Sequence, residues 1–218
     1  MQRYYMLFRD NVIYVKTDAN DKTVEYSLDN LTTYPNVPFY HYIFDDEKII
    51  KELNLSIKNI LNNGSNFKQL LLGSMAFIIM PDDVTDIERR ALDELGKMLG
   101  FKEVILASEC ALTAPYEEQN FISISRTCRM TILTYMKNKC VYKQKFIENK
   151  NYISKELLSA VRELNDGFDV TPNIYLNGTH LSEYRDIGTV VDSPELLEKI
   201  KIVSHKVNFK KEFRKVNK

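Results

Sequence analysis

A chain of 218 residues has room for one large domain or two of about 100 residues each. Its 44% hydrophobic content supports a sizeable core, and thirty basic residues balance thirty acidic ones, which argues against bulk affinity for nucleic acid. Three cysteines without metal-ligand spacing, no ~20-residue apolar run and no signal-peptide core at Met1-Gln2-Arg3-Tyr4-Tyr5 lead to the expectation of a reducing, cytoplasmic setting.

Residues 4–8 and 12–17 read as short strands around Arg9-Asp10-Asn11, with Asp10 an ordinary turn residue. Residues 23–27 make a third strand. Asp45 or Asp46 is placed to cap a helix carrying Ile49, Ile50, Leu53, Ile57, Ile60 and Leu61, closed by Asn63-Gly64. Ala76-Phe77-Ile78-Ile79-Met80 is an apolar strand ended by Pro81. Thr85 and Glu88 have the spacing of a capping box. Ile87, Ala91, Leu92, Leu95, Met98 and Leu99 then fall on one helical face, and Gly100 suits a left-handed helix end. A strand follows over 103–107. The order is β-β-β-α-β-α-β.

That order repeats. Residues 121–125, 130–136 and 140–147 are strand-like. Ser154 is placed to cap a helix with Leu157, Leu158, Val161 and Leu164. Residues 173–176 form an apolar strand before Asn177-Gly178. A weak helix and a strand around 200–203 complete the pattern. The fold class expected is α/β, with two ribonuclease-H-like subdomains, 1–117 and 118–218, joined near 115–120.

The stretch PDDVTDIERRALDELGKMLGFKEVILASECALTAP, residues 81–115, resembles the bacterial actin-like rod-shape (MreB) family of the actin and heat-shock chaperone ATPase superfamily. The features that carry the resemblance are Pro81, Thr85, Glu88, Arg89, Arg90, Ala91, Gly100 and Glu109-Cys110-Ala111. It implies the actin-like ATPase architecture, in line with the repeated element order. It also reads this chain as a degenerate, truncated member, with residues 28–44 a shortened remnant of one of the subdomains that wall the family's cleft.

The resemblance implies two glycine-rich phosphate-binding hairpins, each with an Asp acting through a bound metal. The glycines let backbone amides approach phosphate closely. Here the first hairpin is YMLFRDNVIYV, and no glycine precedes Gly64. The family Asp falls at Leu7 or Phe8. In the second hairpin, ISISRTCRMTILTYM, it falls near Ser123, and the glycine run near Ser125-Arg126-Thr127. No glycine occurs between Gly100 and Gly167. A β-carbon at those turns blocks close backbone approach. The family's adenosine motif falls on Asn177, Gly178 and Thr179, vestigial cofactor-binding candidates, with His180 a surface or hinge residue. Glu109 matches the family's water-orienting acid and is a vestigial catalytic candidate.

The scaffold is kept and the nucleotide loops are stripped. The expectation is a pseudo-ATPase with no cofactor, ATP and magnesium included, and no metal. It would act by binding protein partners or itself, as a scaffold in bacterial cell-shape, cytoskeletal or envelope machinery. The alternative is a divergent ATP-binding ATPase or kinase of the same superfamily. A ribonuclease-H-like nuclease ranks lower, because Leu7, Phe8 and Ser123 stand where carboxylates are needed. Without a nucleotide, Phe8, Arg9, Arg126, Arg129 and Asn177 are expected to fill the cleft. The tail KVNFKKEFRKVNK offers a peripheral contact with an anionic membrane through Lys206, Phe209, Lys210, Lys211, Phe213 and Arg214.

Overall fold

The computed structural model describes residues 2–9, 11–27, 34, 36–38, 40–43, 47–48, 50–53, 55, 73–164, 172–178 and 181–206. Strands β1 (Arg3–Arg9), β2 (Val12–Thr17), β3 (Asn20–Ser27), β4 (Met75–Met80) and β5 (Glu103–Ser108) form a sheet in the order β3-β2-β1-β4-β5. Strands β6 (Phe121–Arg126), β7 (Met130–Lys137), β8 (Cys140–Glu148), β9 (Asn173–Gly178) and β10 (Thr189–Val191) form a second, in the order β10-β9-β6-β7-β8. Each sheet is mixed. β1, β4 and β5 run parallel, as do β6, β9 and β10, while the hairpin strands run antiparallel.

The helices are α1 (Tyr40–Ile43), α2 (Asp86–Met98), α3 (Ser154–Arg162) and α4 (Ser193–Lys206), with 3₁₀ turns at Glu109–Leu112 and Ser182–Tyr184. Residues 47–48, 50–53 and 55 are helical. Of the helix expected there, Asp45, Asp46, Ile49, Ile57, Ile60 and Leu61 lie outside the described residues, as does most of the remnant expected over 28–44.

β1 is buried on both faces, and its alternation sets the layering. Tyr4, Met6 and Phe8 point to one side, with Ala76, Ile78 and Met80, onto Leu92 and Leu95 of α2 and its C-cap Leu99. Tyr5 and Leu7 point to the other, with Phe77 and Ile79, onto Leu196, Leu197 and Ile200 of α4. That middle layer also takes Phe121, Met136 and Tyr175 of the second sheet. Ile122, Ile124 and Leu133 face outward onto Leu157 and Val161 of α3. The layers run α2, first sheet, α4, second sheet, α3.

The capping box of α2 forms as its spacing predicts. Thr85 Oγ1 accepts from the Glu88 amide at 3.3 Å, and the Glu88 carboxylate accepts from the Thr85 amide at 2.7 Å. Gly100 ends the helix region with φ of 93°. Three expectations need correction. Ile87 and Met98 lie on the exposed side of α2, because the helix meets the sheet through the narrower stripe Leu92, Leu95, Gly96 and Leu99. Ser154 makes no cap; the Glu156 carboxylate accepts from the Ile153 amide at 3.1 Å instead. Residues 200–203 are helical, within α4. Asp192 Oδ1 accepts from the Glu195 amide at 2.8 Å and starts that helix, so the strand of this region is β10, placed earlier.

Candidate functional site

Parallel strands of both sheets point their C-terminal ends into one cleft, the usual place for a site in an open α/β sheet. β1 delivers Arg9, β4 delivers Pro81, Asp82 and Asp83, and β5 delivers Glu109. From the other side, β6 and its turn deliver Ser125, Arg126, Thr127 and Arg129, β9 delivers Asn177, and α4 opens with Ser193.

Arg9 is the centre of one group. Its guanidinium donates to Glu109 Oε1 at 2.9 Å, to Ser193 Oγ at 3.1 Å, and to Asn177 Oδ1. Glu109 and Asn177 are buried. Burial pushes the Glu109 carboxyl up to about 7, against the pull of the Arg9 cation, and neighbouring Asp82 and Asp83 add to the rise. Among the described residues, the Asn177 Nδ2 and Ser123 Oγ are buried without a hydrogen-bond partner.

Arg129 is the centre of the other. It donates to Asp83 Oδ2 at 2.7 Å, to the Asp83 carbonyl at 2.8 Å and to Glu88 Oε1 at 2.7 Å. The Thr127 hydroxyl donates to Asp83 at 2.7 Å. Glu88 also meets His41 Nε2 at 2.8 Å. Burial opposes charge on Glu88, but the Thr85 amide, Arg129 and His41 outweigh it and hold the carboxyl down at about 2. Asp82 accepts from the Cys110 amide at 2.9 Å and from the Ser125 hydroxyl at 2.7 Å, and burial raises its pKa.

Of the residues expected in the cleft, Arg9, Arg129 and Asn177 reach across it, and Phe8 is fully buried at its wall. Arg126 stays with its own sheet, donating to Thr131 Oγ1 at 3.1 Å and the Lys150 carbonyl at 3.1 Å. A cavity of about 350 Å³ remains, lined by Phe8, Arg9, Tyr34, Pro38, Asp83, Glu109, Arg126 and Thr127 among others.

Gly178 closes the β9 end with φ of +118°. A Cβ there would lie 2.5 Å from the Arg126 carbonyl oxygen. Its register opposite Arg126 therefore demands glycine on packing grounds alone. Thr179, His180 and Asp10 lie outside the described residues. Asp82, Asp83 and Ser193 were not singled out from sequence. Two consecutive Asp residues just after an apolar strand's C-terminal end were the available signal for the first pair.

No family model matches this chain, and neither does any curated protein. Solved structures do. MreB 5 of Spiroplasma citri bound to AMPPNP matches with TM-score 0.58 at 10% identity, over 99% of this chain and 98% of that one. The apo psk41 ParM protein matches with TM-score 0.61 at 9% identity, over 94% and 98%. AlfA from the B. subtilis plasmid pLS32, a filament structure, matches with TM-score 0.52 at 10% identity, over 88% and 91%. The likeness shows that this chain has the two-subdomain actin-like fold.

Proposed function

We propose that this chain is a non-catalytic actin-like protein that works by binding partners or copies of itself. The observation that carries the reading is the Arg9 group. Arg9 brings a cation of the protein's own to Glu109, the acid the resemblance assigns to water positioning, and ties it to Asn177 and Ser193. A carboxylate oxygen that accepts from Arg9 at 2.9 Å is engaged by the protein itself, where a water-orienting acid needs that oxygen for water.

The engagement of the cleft's carboxylates supports the reading that the residues present do not fit a magnesium nucleotide. Asp82 is engaged by Cys110 and Ser125, Asp83 by Thr127 and Arg129, and Glu109 by Arg9. Among the described residues no three His, Cys, Asp or Glu side chains gather as a metal site. Neither hairpin has the glycines that let amides cradle phosphate. Phosphoryl transfer depends on such positioning and charge.

The cavity of about 350 Å³ favours the alternative, a divergent ATP-binding ATPase or kinase. Titration calorimetry with ATP and magnesium separates the two. The expected result is no heat of binding; micromolar binding would return the chain to the nucleotide-dependent reading.

The setting proposed is bacterial and cytoplasmic, in cell-shape, cytoskeletal or envelope machinery. The AlfA filament supports self-association as one mode. Among the described residues no helix is long and apolar enough to cross a membrane. A peripheral membrane contact through the basic tail that begins at Lys206 is part of the same reading. Co-sedimentation with anionic vesicles tests it.

A further inference from the structure

β8 is the outermost strand of the second sheet and pairs only with β7 among the described residues. Its outer edge therefore presents unpaired backbone amides and carbonyls. The other sheet edges differ. β5 is half-buried along its whole length with α2 packed on it, β10 is three residues long, and β3 is an eight-residue edge of mixed charge, with Lys22 and Glu25 both exposed. β8 has nine residues, none of them buried, with Gln144, Lys145 and Ile147 half-buried and the rest exposed.

Three of its large apolar side chains are exposed: Val141 at 51%, Tyr142 at 61% and Phe146 at 53%. The charge around it is one-sided in a chain whose total is balanced. Lys137, Lys139, Lys143, Lys145 and Lys150 stand against Glu148 and Glu163. Glu163 takes the Lys145 ammonium, and its carbonyl accepts from Lys143 at 3.1 Å.

The register defines what would fit. The ladder with β7 shifts between Tyr135 and Met136 and then runs unbroken from Lys143 to Glu148. Lys143 and Lys145 stand opposite Tyr135 and Leu133, on the face that α3 covers. Gln144 and Phe146 stand opposite Thr134 and Ile132, on the other face. Over 143–148 the first face carries Lys143, Lys145 and Ile147, and the second carries Gln144, Phe146 and Glu148. Lysines and a bulge on an edge strand deter pairing with an identical strand, since like charges would meet. They do not deter an acidic one.

We infer that the β8 edge is a docking site for an extended acidic segment of a protein partner, which adds a strand to the second sheet. The partner strand alternates carboxylate and apolar residues, so that its acids meet Lys143 and Lys145 and its apolar side chains meet Phe146. Backbone bonds supply affinity, and the alternation supplies specificity. This surface lies apart from the cleft and stands whether or not the cleft takes a nucleotide.

The test uses the full chain and two labelled peptides, one alternating Glu and Val, the other Lys and Val, followed by fluorescence anisotropy. The Glu peptide should bind, weaken with added salt, and lose about tenfold or more in affinity to Lys143→Glu/Lys145→Glu. That variant should in turn take the Lys peptide. Hydrogen exchange should show new protection of amides in 143–148 when the Glu peptide is bound. Equal binding of both peptides, binding unchanged by charge reversal, or binding without amide protection would each overturn the proposal. So would binding of anionic phosphatidylserine vesicles with no binding of the Glu peptide. Circular dichroism of the variant shows that it folds, and because the reversed charges lie on the exposed edge, the swapped preference is readable only from a folded sheet.

Discussion

Replacing Arg129 with alanine removes a side chain of the second sheet's β6–β7 turn that holds two carboxylates beside the first sheet. Its guanidinium meets Asp83 and Glu88, each at 2.7 Å, where the two carboxylates are 3% and 7% exposed. Removing one partner of a buried pair costs about 3–5 kcal/mol, because a charge is left where water reaches it poorly. Two facts lower the figure. Arg129 is itself 20% exposed. Both carboxylates keep other donors, the Thr127 hydroxyl for Asp83, and the Thr85 amide and His41 for Glu88. The expected loss at neutral pH is about 3 kcal/mol. Linkage gives the same order. Glu88 is held at about 2 against an ordinary 4.5. At about 1.4 kcal/mol per unit, its donors together contribute roughly 3 kcal/mol. The folded value lies below the unfolded one, so this stability is present above 4.5 and is lost as pH falls toward 2. The deficit of Arg129→Ala should therefore be largest at neutral pH and shrink toward roughly pH 3. Urea unfolding read by circular dichroism is the assay, since the chain has no tryptophan. Arg129→Lys should recover only part, because it keeps the charge and loses the fork. A neutral-pH loss under about 1 kcal/mol, the level of a surface pair, would refute the reasoning.

Glu109→Gln probes the other group. The Glu109 carboxyl is raised to about 7 in the folded chain from 4.5, so its contribution is fully present below 4.5 and falls away as pH rises through 7. The glutamine variant should lose that fall, about 3 kcal/mol on the order-of-magnitude scale, in a urea series over the same window. An unchanged slope would assign the fall to another group. Gly178→Ala should cost about 2–4 kcal/mol, because its Cβ meets the Arg126 carbonyl at 2.5 Å and its φ is +118°. A melting curve within error of wild type would show that β9 can move aside. Thermal melting should be indifferent to millimolar ATP with magnesium, since a ligand that does not bind the native state cannot shift its unfolding. A rise of several degrees would contradict the function proposed above.

Local rules carried the sequence reading furthest. The Thr85–Glu88 box, Gly100 and the strand β4 follow from spacing of a few residues, and each forms as expected. The reading failed where neighbours decide. Ile87 and Leu92 lie within one helical stripe by pattern, but the sheet contacts only part of it. The start of α4 had a legible signal in Asp192 and Glu195, obscured by the short elements crowded before it. Arg9 and Glu109 are 100 residues apart, and Arg9 and Asn177 are 168 apart. No periodicity links residues at such separations. Only the topology, with parallel strands ending at one cleft, brings them together.

α4 belongs by sequence to the end of the chain and by packing to its beginning. Leu196, Leu197 and Ile200 cover the first sheet, the Arg3 guanidinium donates to the Ser204 carbonyl at 3.1 Å, the Tyr5 hydroxyl meets Ser204 Oγ at 3.0 Å, and Lys16 pairs with Glu198 at 2.6 Å. During synthesis, strands β1 to β5 emerge long before the helix that covers them. At about 5–20 residues per second, the wait from residue 108 to residue 206 is roughly 5–20 s. Throughout that interval Tyr5, Leu7, Phe77 and Ile79 lack the cover of Leu196, Leu197 and Ile200. The first sheet thus completes its packing only when α4 arrives, and an apolar face left part-covered for that long is open to aggregation.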